Sequence, residues 1–127
     1  MNFYPRSGQK KFCFTQKFEC QYCELTHELL NEIVDLSDKL TLQTYEFVKN
    51  KEIAEKYGVD KIPAIVIEGG KDYGIRFYGV PAGYEFTTLI EDMIDVSRGT
   101  TNLSAETKEP LKNLEKNMHI QVFVTLT

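Results

Sequence analysis

Two cysteines three positions apart, Cys20 and Cys23 in "FECQYCELTHELL", are the residues of this sequence best suited to chemistry. They stand directly ahead of a stretch with helical periodicity. A thiol at a helix start meets unpaired backbone N–H groups and the positive end of the helix dipole. Both favour the thiolate and draw the thiol pKa from ~8.5 into a range of roughly 3.5–7.5. The intervening Gln21 and Tyr22 put Cys23 one turn on, within bonding reach of Cys20. Cys20, at the tip, is then the thiolate that attacks a substrate disulfide. Cys23, one turn inward, keeps its proton longer and resolves the mixed disulfide. Lys17 favours the Cys20 thiolate, whereas Glu19 and Glu24 oppose it.

The same pair has a metal reading. His27 follows Cys23 by four residues, on the same helical face, and with Cys13 or His119 would complete a set of four nitrogen and sulfur donors. Zinc sites typically take two ligand pairs from separate knuckles, and a second pair is missing, so no metal ligand is assigned. Inert packing is the third reading. Taken singly, His27 reads as a solvated helix residue and Cys13 as a small core residue. His119 reads as the start of a strand without a matching partner.

The rest of the composition narrows these options. A chain of 127 residues holds one core and is too short for two independent ones. Its net charge of −4 argues against a nucleic-acid partner, which ordinarily needs a basic surface. No apolar run approaches the roughly 20 residues that span a bilayer, so no membrane partner is expected. The opening "MNFYPRSGQKK" lacks the apolar stretch of a secretory signal, and a cytoplasmic location is the expectation. Three cysteines do not make a disulfide framework, and in a reducing compartment a CxxC pair is reactive or metal-binding rather than structural.

Elements must position the pair. "KFCFTQK" (11–17) predicts a strand with Phe12 and Phe14 on one face and Cys13 and Thr15 on the other. Between 21 and 39, Leu25, Leu29, Leu30, Ile33, Val34 and Leu36 recur at helical spacing. "LTLQTYEFV" (40–48) predicts a strand, and "KEIAEKYG" a short helix stopped at Gly58. A hairpin follows: apolar Ala64, Ile65, Val66 and Ile67, a Gly69-Gly70 turn, then Ile75 and Phe77 alternating with Arg76 and Tyr78. The unbroken apolar run suggests burial on both faces. Phe86, Leu89, Ile90, Met93, Ile94 and Val96 give a third helix. The order β-α-β-α-β-β-α is that of an α/β fold with helices on both sides of a four-stranded mixed sheet. Leu103, Leu111 and Leu114 hint at one more helix, beginning near Pro110 so that the proline falls in its first turn. "HIQVFVTLT" predicts a terminal strand that needs a partner, inside the fold or in another protomer.

Strand, CxxC, helix, strand, helix, then "KIPA" opening a hairpin, is the order of a thioredoxin fold. More closely, "CQYC", "KYGVDKIPAIVI", "GGKDYGIRFYGVPAGYEF" and "IEDMIDVSRGTTNLSAETK" resemble the N-terminal half of the protein disulfide oxidoreductases of thermophilic prokaryotes, also called glutaredoxin-like proteins. The resemblance runs from about Lys11 to the end of the chain. It implies that Pro63 is a cis proline opposite the cysteines, turning the Ile62 backbone toward the sulfurs to pair with a substrate strand. It further implies that Val80, Pro81, Ala82 and Gly83 form another wall of that groove, with Gln21 and Tyr22 beside it. On residue type alone, Pro63 is also readable as an ordinary strand-initiating proline. The implied activity is thiol–disulfide exchange with protein disulfides. The redox-active Cys20–Cys23 disulfide would be the carrier, with no other cofactor and a thioredoxin-reductase-like flavoprotein as electron donor.

The chain also departs from that family. Its relatives usually carry a leading helix where only ten residues stand here, and a second thioredoxin-like unit with its own CxxC. "HIQVFVTLT" resembles the first strand of that second unit, so the chain is either a single-unit form or a fragment. The expected organisation is a lead segment 1–10, a thioredoxin-like domain 11–99, and a C-terminal helix and strand over 100–127. Phe14 and Thr15 stand where thioredoxins place a buried acid, so no proton acceptor is assigned to Cys23. Two rivals remain: a metal- or cluster-binding module, and a catalytically silent docking domain. The terminal strand motivates the second and offers a homodimer contact.

Overall fold

The computed structural model describes residues 9–15 and 20–125, with side chains from residue 20 onward. Residues 1–8, which make up most of the expected lead segment, lie outside the described residues. So do Lys17, Glu19 and the side-chain faces expected of Phe12, Cys13, Phe14 and Thr15.

The chain runs β1 (Gln9–Thr15), α1 (Gln21–Asp35), β2 (Leu40–Glu46), α2 (Lys51–Lys56), β3 (Ala64–Glu68), β4 (Asp72–Tyr78), α3 (Tyr84–Arg98) and α4 (Ala105–Lys112). The strands lie in the order β2-β1-β3-β4. β1 and β2 are parallel and joined through α1, while β3 is antiparallel to both β1 and β4. The architecture is α/β and thioredoxin-like.

β3 shows why the order of layers follows from sequence. Ala64, Ile65, Val66 and Ile67 are all fully buried. Successive strand residues face opposite sides, so a run with no polar position needs cover on both. Ile65 and Ile67 pack with Leu30 and Ile33 of α1 and Leu89, Met93 and Val96 of α3. Ala64 and Val66 turn the other way, to Ala54, Tyr57 and Val59 around α2. Burying each isoleucine side chain stabilises by about 1.5–3 kcal/mol relative to exposure. The hairpin turn sits tightly on α3: a Cβ on Gly69 would stand 2.7 Å from Val96 Cγ1 and 3.1 Å from the Val96 carbonyl oxygen. Only glycine permits that approach.

α1 buries Cys23, Thr26, Leu30 and Ile33. Leu25 and Leu36, counted in its apolar stripe by sequence, are exposed. The helix also stops at Asp35, because Ser37 N–H closes on the Val34 carbonyl and Leu40 N–H on Ser37.

The end of the hairpin is held to α2 by a polar clasp. Tyr57 Oη donates to Glu68 Oε2 at 2.7 Å, and Arg76 Nε to the Tyr57 carbonyl at 2.9 Å. Arg76 also grips Asp72 with two nitrogens, at 2.9 and 2.6 Å.

Past α3 the expectation is corrected in two places. The last helix starts at Ala105, not near Pro110, so the proline lies inside it. Ser104 explains the earlier start, since its Oγ caps the Thr107 N–H at 3.2 Å and its carbonyl takes Thr107 and Lys108. Residues 119–125 form no strand, and Ile120, Val122, Phe123 and Val124 are all exposed. A strand exists only as a paired element, and alternation along the chain does not by itself supply the pairing.

Candidate functional site: a cysteine pair at a helix tip

Cys20 is the N-cap of α1, in a non-helical conformation that lets the chain enter the helix at Gln21. Among the described residues no side chain caps this end. The N-terminal N–H groups are left for the cap residue itself and for whatever its sulfur contacts. Cys20 and Cys23 are joined as a disulfide, with Cα atoms 5.3 Å apart. Their surroundings differ sharply. Cys20 is partly exposed, whereas Cys23 is only 3% exposed. The helix period produces this asymmetry, because position 23 heads the stripe that continues through Thr26, Leu30 and Ile33 into the core. Gln21 and Tyr22, between them, are exposed.

Backbone register places the other predicted residues at the same end of the sheet. Phe14 pairs with Ala64, and Ala64 with Tyr78. The end of β1, which leads to Cys20, therefore lies beside the start of β3 and the end of β4. Pro63 precedes Ala64, and Gly79 follows Tyr78. The Ile62–Pro63 bond is cis, as the resemblance implied. Gly79 N–H donates to the Pro63 carbonyl at 2.9 Å, tying the next loop to the proline. In that loop Ala82 N–H turns back to the Val80 carbonyl at 2.9 Å. Pro81 is fully buried and anchors the loop, while Ala82 and Gly83 face solvent. Ile62 is half-buried against the α2-side core, and among the described residues nothing hydrogen-bonds its backbone.

Two of the residues weighed as metal ligands stand elsewhere. His27 Nδ1 lies 3.1 Å from Asn31 Nδ2, one helical turn on, and His119 is on the exposed tail. Among the described residues no three His, Cys, Asp or Glu side chains are grouped to hold a metal ion.

Sequence reasoning missed Thr26. It is fully buried on the same helix, three residues after Cys23, and its Oγ1 donates to the Tyr22 carbonyl at 2.7 Å. The available signal was a hydroxyl residue three positions after Cys23, on the helix face that carries Leu30 and Ile33.

A partly exposed sulfur bonded to a buried one, at an uncapped helix start, suits reversible disulfide exchange. Comparison with known proteins agrees. The family described as Thioredoxin domain matches residues 15–91, more than half of the chain. By sequence the chain is similar to the alkyl hydroperoxide reductase of Staphylococcus aureus (strain Mu50 / ATCC 700699). Its F component is 30% identical over 100 residues, covering 79% of this chain. Those residues are 18% of that protein, so the chain spans under a fifth of the curated relatives it matches. The crystal structure of a protein disulfide oxidoreductase from Aeropyrum pernix K1 superposes with a TM-score of 0.74 at 27% identity. The match covers 84% of this chain and 47% of that one. The NTD_N/C domain of the alkylhydroperoxide reductase AhpF from Enterococcus faecalis (V583) gives a TM-score of 0.72 at 24% identity. It covers 80% and 50% of the two chains and bears on the fold alone.

Proposed function

Because the chain belongs to the thioredoxin-domain family, we propose that it exchanges its Cys20–Cys23 pair with disulfides of other proteins. The observation that carries this reading is the unequal exposure of the two sulfurs at the tip of α1. In the reducing direction, the Cys20 thiolate attacks one sulfur of the substrate disulfide. A mixed disulfide forms and the other substrate sulfur leaves as a thiolate. Cys23 gives up its proton and attacks Cys20, forming the internal disulfide and releasing the second substrate sulfur. Two electrons pass from the pair to the substrate, which takes up two protons. A thioredoxin-reductase-like flavoprotein returns the electrons, and the Cys20–Cys23 pair carries them.

The groove for a substrate strand consists, in this reading, of Gln21, Tyr22, Ile62, Pro63, Val80, Pro81, Ala82 and Gly83. What supports this reading is that Pro63 and Gly79 flank paired ends of β3 and β4, and that among the described residues nothing hydrogen-bonds the Ile62 backbone, which suits strand-like pairing. Residues 11–99 are the catalytic unit, working in the cytoplasm, and 100–127 resemble the start of a second unit. The four exposed apolar residues of the tail support association with a second copy.

Disulfide reductase assays of Cys20→Ser and Cys23→Ser test the core of this. Cys20→Ser is expected to fall to the uncatalysed background, and Cys23→Ser to accumulate a trapped mixed disulfide. Full turnover in Cys20→Ser would sink the reading.

The docking role is the second reading, favoured by the exposed apolar tail. In that case both cysteine variants would leave association unchanged and there would be no turnover to lose.

A further inference from the structure

Among the described residues, Thr26 is the polar side chain that the fold buries completely, and it stands about one helical turn after Cys23 on α1. Its hydroxyl is not merely satisfied in place. Oγ1 donates to the Tyr22 carbonyl at 2.7 Å, the same carbonyl that the regular ladder of α1 pairs with the Thr26 N–H. Two donors from one residue therefore converge on one acceptor.

That acceptor is half of a particular peptide. The Tyr22 C=O and the Cys23 N–H belong to the same planar, conjugated amide. Donors on the oxygen draw electron density through the amide and make its N–H a stronger donor. The Cys23 N–H points back to the helix start, where it donates to the Cys20 carbonyl at 3.1 Å in the disulfide form. Once the disulfide is reduced, the Cys20 sulfur sits at this tip and draws its stabilisation from such N–H groups.

We propose that Thr26 is a positioning residue for the redox pair: its buried hydroxyl polarises the Tyr22–Cys23 peptide and strengthens the N–H that steadies the Cys20 thiolate. This rests on the assignment of Cys20 as the attacking thiolate. It adds a group that touches neither sulfur and acts through a bond shared with Cys23.

Polarisation strengthens a hydrogen bond by about 10–30%, so loss of the hydroxyl should raise the Cys20 pKa by on the order of half a unit. The test is the pH profile of alkylation at Cys20, read by mass spectrometry on the reduced full chain. The set is the parent, Thr26→Val, Thr26→Ala and Thr26→Ser. Valine keeps the branched shape without the hydroxyl, and alanine is a second hydroxyl-free replacement should valine pack badly. Serine keeps the hydroxyl and drops the methyl.

The expected result is an upward shift of about half a unit, roughly threefold slower alkylation below the midpoint, in the valine and alanine variants. Serine should hold the parent value, whatever its thermal stability. An unchanged midpoint in the hydroxyl-free variants overturns the proposal while leaving the redox reading intact. An equal rise in serine also overturns it, since methyl packing would then be the cause. A parent midpoint at the ordinary ~8.5 would defeat the thiolate assignment itself, and this inference with it.

Discussion

The backbone N–H of Gly79 donates to the carbonyl of Pro63 at 2.9 Å, joining the end of β4 to the cis proline that precedes β3. The bond sets the proline against the loop that continues through Val80 and the buried Pro81. Two of the proposed groove walls are therefore joined by a backbone hydrogen bond.

Gly79 holds this bond at a φ of 89°, a conformation that side chains rarely adopt. A Cβ there would meet nothing within 4 Å, so Gly79→Ala carries a conformational cost without a clash. The expected loss is about 1–2 kcal/mol of stability. Relaxation of φ should also detach the loop from Pro63. The Michaelis constant for a protein disulfide should then rise, while the Cys20 alkylation rate stays at the parent value. Chemical denaturation and steady-state kinetics read the two effects separately. A stable variant with unchanged kinetics would show that the bond does not organise the groove.

The clasp between α2 and the hairpin makes stability fall at both ends of the pH scale. Burial, and then the hydrogen bond to Glu68, raise the Tyr57 phenol above its ordinary value. The folded state holds that proton more tightly than the unfolded chain. The resulting stability is whole below about pH 10 and is lost as pH climbs through the folded value. Hydrogen bonds from Arg76 lower the Asp72 carboxyl, against the opposing effect of burial. Its contribution is present above about pH 4 and is lost as the medium is acidified through the folded value. Tyr57→Phe should flatten the alkaline limb, and Asp72→Asn the acid limb. Asp72→Asn should cost no more than about 1 kcal/mol at neutral pH, because the pair is partly open to solvent. Urea midpoints across pH provide the check, and limbs unchanged in both variants would remove the clasp from the stability account.

Ile120, Val122, Phe123 and Val124 lie exposed on one short segment that carries no net charge. Such a segment is suited to pairing with another chain. Sedimentation of the parent at tens of micromolar should give a dimer, and Val122→Glu with Phe123→Glu should return it to monomer. A parent that stays monomeric at high concentration would end the homodimer reading.

Much of the site was readable along the chain because its signals are local. Cys20 and Cys23 are close in sequence, and the helix they open is announced by the spacing of Leu30 and Ile33. The β3–β4 hairpin was equally plain, since an apolar run, two glycines and an alternating strand fit within a short stretch. The cis state of Pro63 was different: residue type left it open, and it entered through the resemblance of "KIPA" and its surroundings. Where local signals competed, the reading slipped. Pro110 was weighed as a helix start, but the Ser104 cap fixed an earlier one. "HIQVFVTLT" had the alternation of a strand, yet alternation provides no partner.

By itself the sequence determined the helices and strands from β1 to α3, and that two thiols share a helix start, because these depend on neighbours within a few residues. The tertiary structure decided that Phe14, Ala64 and Tyr78 share a row, which brings Pro63 and Gly79 to the cysteine end of the sheet. It also decided that Thr26 is buried, and that Arg76 reaches the Tyr57 carbonyl from 19 residues away. Contacts between segments distant along the chain arise from packing the whole core at once, which leaves no local pattern in the residues that make them.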